Sequence, residues 1–591
     1  YINIFEVNFV SPLCDHGLLY YKYFLVDSLQ KEGRKIYKIR FHPKGKSTPV
    51  FDGEVNIDST TWALESAQMR MIKGLNVNWI KDLAIETTNE LINDSTWFLK
   101  QDKILADFTV QMRDSSKLIS FMGHRQIDYS NVTVNEAIPS EILKLDSEVT
   151  INKNVLQNDE NYWQNARPYQ LSEKERNIYN MVDSIKNVPL YQNIYDMIQT
   201  VFLGYYNTKY VGFGPYYKLY SFNKLEGNRF QLGAKTTSDF SKRIRLSGYG
   251  AYSTKDQKFK GGGTVEYMFN NQPTSKLTVS GKHDVFQLGA SENAFTTGNI
   301  LSSIFSRGNN EKLTMINEFD FRYEKEWWQG FSNSFALEYR QMYPTKYVDF
   351  IRPDGKELNQ IHTTQFRLGT RLSKNEIVVR QDFDKVSMGS DFPIVGIDLV
   401  AGLKGVLNSD YEYYRAQLSI QHDVQIAPIG YSDFMLTGGK IFGKVPYPLL
   451  KLHGGNATYF YDPYAFSCMN FYEFASDLWG AVFWEHHFRG FFLSKIPLMK
   501  RLKWREVATV KALWGTLSDK NNGSLADTKA ILLFPEGMSS VSKPYIEAGV
   551  GVENIFRILR IDAIWRLTHR GDRLGQKVDN FAINFSIHLN F

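Results

Sequence analysis

The sequence predicts a mostly β protein: a transmembrane antiparallel β-barrel, preceded by a smaller β-rich domain and a short helical linker. Three observations lead there. From about residue 200 to the end, large apolar residues alternate with small or polar ones at the period of a strand. The chain carries 41 Phe, 34 Tyr and 11 Trp, amphipathic rings of the kind that settle at water–lipid boundaries. In the alternating runs the charges lie on one face and the apolar side chains on the other, and a core-facing sheet of a soluble protein would have to bury those charges.

The elements follow in order. Residues 1–135 break into strand-like runs, among them YYKYFLVDSL, RKIYKIRFHP, VFDGEVNID and WALESAQMRM, separated by turn material such as QKEG, PKGKS and DSTT. Residues 136–190 are polar and irregular until LSEKERNIYNMVDSIKN, where Ser172 and Glu175 form an S-x-x-E capping box. Ile178, Met181, Val182 and Ile185 then fall on one stripe, which predicts a helix over 172–186, docked at the barrel mouth or on the preceding domain. Residues 191–591 carry the barrel, about 16 strands at roughly 22–26 residues each, with 14 to 18 accommodated.

The strand patterns are specific. Phe230, Leu232 and Ala234 oppose Arg229, Gln231 and Lys235, and Ile546, Ala548, Val550 and Val552 oppose Glu547 and Glu553. Leu559, Ile561, Ala563, Trp565 and Leu567 oppose Arg560, Asp562 and Arg566. In a bilayer the apolar face turns outward and the polar face lines the lumen, while pairing around a closed ring satisfies every backbone group and removes the sheet edges. If the chain ends at the periplasmic rim, 494–503 and 553–557 are periplasmic turns, and 443–468 and 517–541 are extracellular loops.

Several function classes are disfavoured. No run approaches the 18 apolar residues of a membrane-spanning helix. YINIFEVNFV has neither the basic start nor the apolar core of a signal peptide, as expected of an exported chain after processing. The net charge of +6 comes from interspersed charges rather than a basic tract, so no nucleic-acid partner is expected. Cys14 and Cys468 define no disulfide framework or metal spacing.

Candidate sites are weighed against structural roles. In FWEHHF, Glu485, His487 and Arg489 share one face of a strand and His486 points to the other, so the adjacent histidines cannot hold one metal together. A bracing hydrogen-bond network on the lumenal wall is the favoured reading, and it extends to Glu547, Arg560, Asp562 and Arg566. No catalytic motif stands out, and no cofactor or metal is expected. The Gly261–Gly263 run reads as close packing within a strand rather than a phosphate cradle.

The closing stretch FAINFSIHLNF resembles the C-terminal sorting signal of bacterial outer-membrane barrels, with Phe581, Ile583, Phe585, Ile587, Leu589 and Phe591 on one face. NFVSPL, GRKIYKIRFHPK, KIFGKVPYPLLKLHGGNATYFYDPYAFSC, FWEHHFRGFFLSKIPLMKRLKWREVA and KPYIEAGVGVENIFRILRIDAIWRL resemble an uncharacterised family of Bacteroidota outer-membrane proteins. In that family a carboxypeptidase-regulatory-like β-sandwich usually precedes a domain of unknown function; the likeness places this chain just after the sandwich and carries no peptidase activity. The stretch up to about 135 resembles the half-barrels of lipoprotein-carrier proteins. These likenesses imply an outer-membrane barrel with a periplasmic N-terminal domain. Its expected partners are outer-membrane lipids and lipopolysaccharide, the barrel assembly machinery during biogenesis, and other envelope proteins in a complex. The expected role is a non-enzymatic subunit or scaffold in assembly or export of outer-membrane or surface proteins, with a small-solute channel and an outer-membrane hydrolase as alternatives.

Overall fold

The computed structural model describes residues 2–4, 7–31, 33–45, 48–92, 96–109, 120–139, 160–167, 170–289, 312–426, 429–456, 458–525, 527–571 and 577–587. Seven antiparallel strands in sequence order form the N-terminal sheet: Tyr21–Lys31, Arg34–Pro43, Phe51–Asp58, Leu64–Met71, Ile80–Ile92, Thr96–Thr109 and Ser120–Asp128. The first six fall where alternation marks them. The seventh escaped the sequence reading because SFMGHRQID is largely polar and lacks a clean alternation. One face packs on Phe9, Phe41, Phe51 and Leu83, all fully buried. The buried Tyr21 hydroxyl donates to the Val10 carbonyl at 2.5 Å and accepts the Phe51 N–H at 3.1 Å, so the leading segment is tied to the sheet.

Three helices follow, Glu160–Ala166, Glu173–Lys186 and Pro189–Leu203. The capping box forms as its spacing requires: the Ser172 hydroxyl accepts the Glu175 N–H, and the Glu175 carboxylate accepts the Ser172 N–H at 2.8 Å. The third helix was missed and runs across residue 191, where the sequence reading starts the barrel; Pro189 at its first turn and Gly204 in the left-handed region at its end are its boundary signals. The stripe Ile178, Met181, Val182 and Ile185 is exposed, in contrast to the expected docking on the barrel mouth or the first domain.

Among the described residues from Tyr206 onward, eighteen strands join in one antiparallel sheet whose order follows the sequence. That count is the upper end of the expected range, and it includes Tyr206–Asn207, Val211–Phe213 and Tyr220–Asn223, which are only stubs. Val211–Phe213 and Tyr220–Asn223 share one edge of Gly227–Thr236, one at each end. The alternation is realised in three dimensions: Arg229, Glu547, Arg560, Asp562 and Arg566 are buried, whereas Leu232, Val550, Ile561 and Trp565 are exposed. Exposed rings cluster near both ends of the strands. Tyr206, Trp327, Trp328 and Phe556 stand near one rim, and Phe259, Phe442, Trp514 and Phe581 near the other.

The predicted ring closure is not seen. Among the described residues no backbone pair joins the first strands to Phe581–Ile587. Residues 459–461 take the edge of that last strand instead: Phe585 N–H donates to the Tyr459 carbonyl and Tyr461 N–H to the Phe585 carbonyl, both at 2.8 Å. An edge strand presents unpaired N–H and C=O groups that must be covered, and here a loop of the same chain covers them. In that last strand Phe581, Ile583 and Ile587 are exposed, Phe585 is half-buried, and Ala582, Asn584 and Ser586 are buried. Leu589 and Phe591 lie outside the described residues.

The turns expected on one side do share a rim. At it, residues 76–79 of the N-terminal domain meet the turns 488–504 and 554–558. Asn78 and Asn554, both buried, exchange side-chain amide hydrogen bonds at 2.6 and 3.2 Å. Lys503 Nζ donates to the Val77 carbonyl at 2.6 Å, Arg505 to the Asn76 carbonyl at 2.9 Å, and the Arg557 guanidinium lies 5.3 Å from the Trp79 ring centre.

Replacing Asn78 with Leu removes the donor to the buried Asn554 Oδ1, while its Nδ2 still donates to the Lys503 carbonyl at 2.6 Å, a loss of about 1–3 kcal/mol. Faster hydrogen exchange over 76–80, with unchanged exchange in the sheet strands, is the expected result. Burial, with Arg557 and Arg505 alongside, pushes the Lys503 ammonium down to about 8 from its ordinary 10.5. The docked seam therefore binds fewer protons than the open one between those values, and raising pH through that window strengthens docking. Protection over 76–80, taken against the intrinsic exchange rate at each pH, should rise accordingly, and Lys503→Met should abolish that rise.

Candidate functional site: a loop locked to the inner face

The inner face of the C-terminal strands is covered by the long loop that follows Tyr431–Gly443. Residues 444–477 turn back across the sheet, and the charges that alternation aims inward bind them. Lys511, fully buried on Arg505–Thr516, donates from Nζ to the carbonyls of Asp462 and Ala465 at 2.6 and 2.7 Å. Glu547, on Tyr545–Ile555, accepts the N–H groups of Ser467 and Cys468 at 2.8 and 2.7 Å and the Tyr545 hydroxyl at 2.6 Å. Arg566 pairs with Glu473 and donates to the Cys468 carbonyl at 3.2 Å. The side chains of the sheet thus hold the loop mainly by its backbone, whose N–H and C=O groups would otherwise be buried without partners.

A second set of contacts centres on Arg560. Its guanidinium meets Glu485 and Asp562, each at 2.8 Å, and lies 4.4 Å from the ring centre of Tyr461, whose hydroxyl donates to Glu485. His487 extends the chain of contacts toward the first rim. Its Nδ1 lies 3.0 Å from Glu553, its Nε2 3.6 Å from both Glu485 and Asp433, and its ring stacks on Tyr431 at 4.6 Å. Glu485, His487, Arg560 and Asp562 are thus neighbours, while Glu547 and Arg566 hold the loop closer to the other rim. Arg489 departs from its expected place. The strand ends at His487, and Arg489 sits in a turn with φ 54°, its guanidinium 4.8 Å from the ring centre of Tyr431. His486, as expected, faces away, bonded to Ser432 and the Ile429 carbonyl.

Sequence reasoning missed Tyr461, Glu473 and Lys511 as members of the network, and aimed Glu553 inward without joining it to His487. Lys511 had a signal, being the one charge in the run VATVKALW and falling on the same inward row as Arg505, Val507, Thr509 and Leu513. Tyr461 and Glu473 had none, because an aperiodic loop does not announce which face it will meet. Tyr447 and Tyr472 of the same loop pack with Phe350, Leu532 and Met538 as an apolar cap over the second rim.

The other half of the inner face holds a cavity of about 560 Å³ lined by Arg322, Glu324, Arg367, Arg371 and Asp398. A hairpin, Glu376–Arg380 with Lys385–Ser390, reaches across it from the first rim. Arg380 and Lys385 meet the buried Glu326 at 2.8 Å, and Asp384 meets Arg245 at 2.7 Å. The Gly261–Gly263 run lies within a strand, where a Cβ on Gly262 would sit 2.9 Å from the Tyr249 ring and the Lys282 side chain. Among the described residues no cluster of three or more His, Cys, Asp or Glu side chains has metal-holding geometry, and no disulfide joins Cys14 and Cys468.

Arg560→Met leaves Glu485 and Asp562 buried without their main counter-charge, a loss of about 3–5 kcal/mol. It should lower the temperature at which the folded form disappears in heat-modified gel migration. Arg560→Met combined with Glu485→Gln and Asp562→Asn should recover much of the difference.

No curated protein matches the chain in sequence. Among solved structures, it aligns with BamA from Haemophilus ducreyi lacking POTRA domains 1-3, at 13% identity and a TM-score of 0.38, covering 64% of this chain and 70% of that one. It also aligns with CdiB from Acinetobacter baumannii at 13% identity, TM-score 0.32, over 62% of this chain and 58% of that one. For CdiB from Escherichia coli the values are 9%, 0.34, 64% and 62%. Residues 1–121 match the family of unknown function DUF5686 and residues 199–521 match its C-terminal domain, and the chain belongs to this family.

Proposed function

We propose that the protein is a bacterial outer-membrane β-barrel subunit, with its N-terminal β domain in the periplasm, that works as a scaffold in envelope assembly or export rather than as an enzyme or an open pore. The carrying observation is the loop 444–477, bonded to four successive strands of the inner face through Glu485, Lys511, Glu547, Arg560 and Arg566. An inner face so covered offers no wide aqueous path along those strands. The outward face supports the membrane reading: it is apolar along its length and ringed near both ends, the pattern that suits hydrocarbon between two interfaces. The docked N-terminal domain and the cross-reaching hairpin share the rim that this reading puts in the periplasm, where they are placed to meet other envelope proteins. The resemblance to Bacteroidota outer-membrane proteins agrees with this placement.

One observation favours the channel reading, namely the charged cavity on the N-terminal half of the inner face. Planar-bilayer recording separates the two. A silent wild-type protein that begins to conduct on removal of residues 456–468, together with stable recovery of partner proteins from native membranes, is the expected outcome. Steady wild-type conductance, or recovery of the barrel alone, would sink the scaffold proposal.

A further inference from the structure

The helices Glu173–Lys186 and Pro189–Leu203 stand directly before the first strand of the large sheet, and their apolar faces are exposed. On the second helix Leu190, Ile194, Met197, Ile198 and Val201 fall within one arc, with Tyr191 and Tyr195 along one margin. Gln192, Asn193, Asp196, Gln199 and Thr200 occupy the opposite side. At 3.6 residues per turn the apolar arc spans roughly 160°, the division of a helix lying at a boundary. Its 15 residues rise only about 22 Å, short of the ~30 Å hydrocarbon core, and no described helix is long and apolar enough to cross a membrane.

We infer that this helix pair is an interfacial anchor, its apolar faces seated in the periplasmic leaflet of the same bilayer that surrounds the sheet. The inference rests on the membrane reading of the sheet. What identifies lipid as the occupant is continuity with the outward face. The second helix ends at Gly204, whose carbonyl accepts the Tyr216 N–H at 2.8 Å, and the Tyr216 hydroxyl donates to the Val201 carbonyl at 3.2 Å. The exposed side chains Tyr206, Tyr210, Phe213 and Tyr216 carry the apolar surface on from the helix to the ringed rim of the sheet. That rim is the one bearing the N-terminal domain, so the helices belong to the periplasmic leaflet. Tyrosines at the arc margin and a single charge, Asp196, on the helix suit insertion at headgroup depth better than a charge-matched protein contact. Such an anchor would fix the distance of the N-terminal domain from the membrane and shield the stub-like first edge of the sheet.

The test uses the full chain with Cys14→Ser, the fully buried Cys468 being shielded from the label in the folded protein, reconstituted in vesicles of phosphatidylethanolamine and phosphatidylglycerol. Single cysteines replace Ile194, Ile198, Asn193 or Gln199, with Leu232→Cys on the outward sheet face as reference, each carrying an environment-sensitive fluorophore. Quenching by headgroup-level spin-labelled lipid several-fold stronger at 194 and 198 than at 193 and 199, with iodide showing the reverse order, is the expected result. Equal iodide quenching at all four helix positions while position 232 responds to lipid overturns the anchor and leaves the membrane reading standing. Protection of 194 and 198 from both quenchers also overturns it, because protein then covers the face. Position 232, in the middle of its strand, is read with lipid spin-labelled along the acyl chain, and absence of that quenching overturns the membrane reading itself.

Discussion

Charges buried on the inner face of the large sheet are the constraint on which the rest depends. Alternation forces a strand with an apolar outer face to aim every second residue inward, and here those residues include Glu485, Lys511, Glu547, Arg560, Asp562 and Arg566, all buried. Unpaired, each would cost several kcal/mol. Some pair among themselves, as Arg560 does with Asp562, and the rest are satisfied by a loop that brings its own N–H, C=O, hydroxyl and carboxylate groups. The loop in turn needs them, because its backbone is buried and has no ladder of its own along most of its length. Against an apolar filling such a network gains little net stability; its effect is to make one position of the loop far better than others.

The same loop resolves the edge of the sheet. A long antiparallel sheet ends in an unpaired strand unless the ring closes, and residues 459–461 occupy the edge of Phe581–Ile587 with two backbone hydrogen bonds. Inner-face charge, loop position and sheet edge are therefore parts of one solution. Loosening the Arg560 cluster would free Tyr461, and with it the segment that covers Phe585.

Other parts of the molecule follow the division between rims. Turns at one rim are short, bind the N-terminal domain through Asn78, Lys503, Arg505 and Arg557, or fold into the hairpin 376–390, whereas the longest loops are at the other and pack an apolar cap around Tyr447 and Tyr472. Among the described residues, the helices Glu173–Lys186 and Pro189–Leu203 keep their apolar faces exposed.

Local pattern by itself determined which residues share a face. The alternation of Phe581–Ile587, the buried row through Arg560, Asp562 and Arg566, the capping box at Ser172 and the rims of the last hairpin turns were all legible, because each depends on neighbours within a few residues and on the fixed periods of strand and helix. Arg489 was misread for the complementary reason: alternation says where a side chain points only while the strand continues, and the strand stops at His487. Tertiary structure alone decided that residues 444–477 fold inward, that Tyr461 and Glu473 meet charges on distant strands, and that a loop rather than the first strand takes the edge of the last. Those contacts join residues tens to more than a hundred positions apart through an aperiodic segment, and no local preference encodes which buried charge such a segment will satisfy.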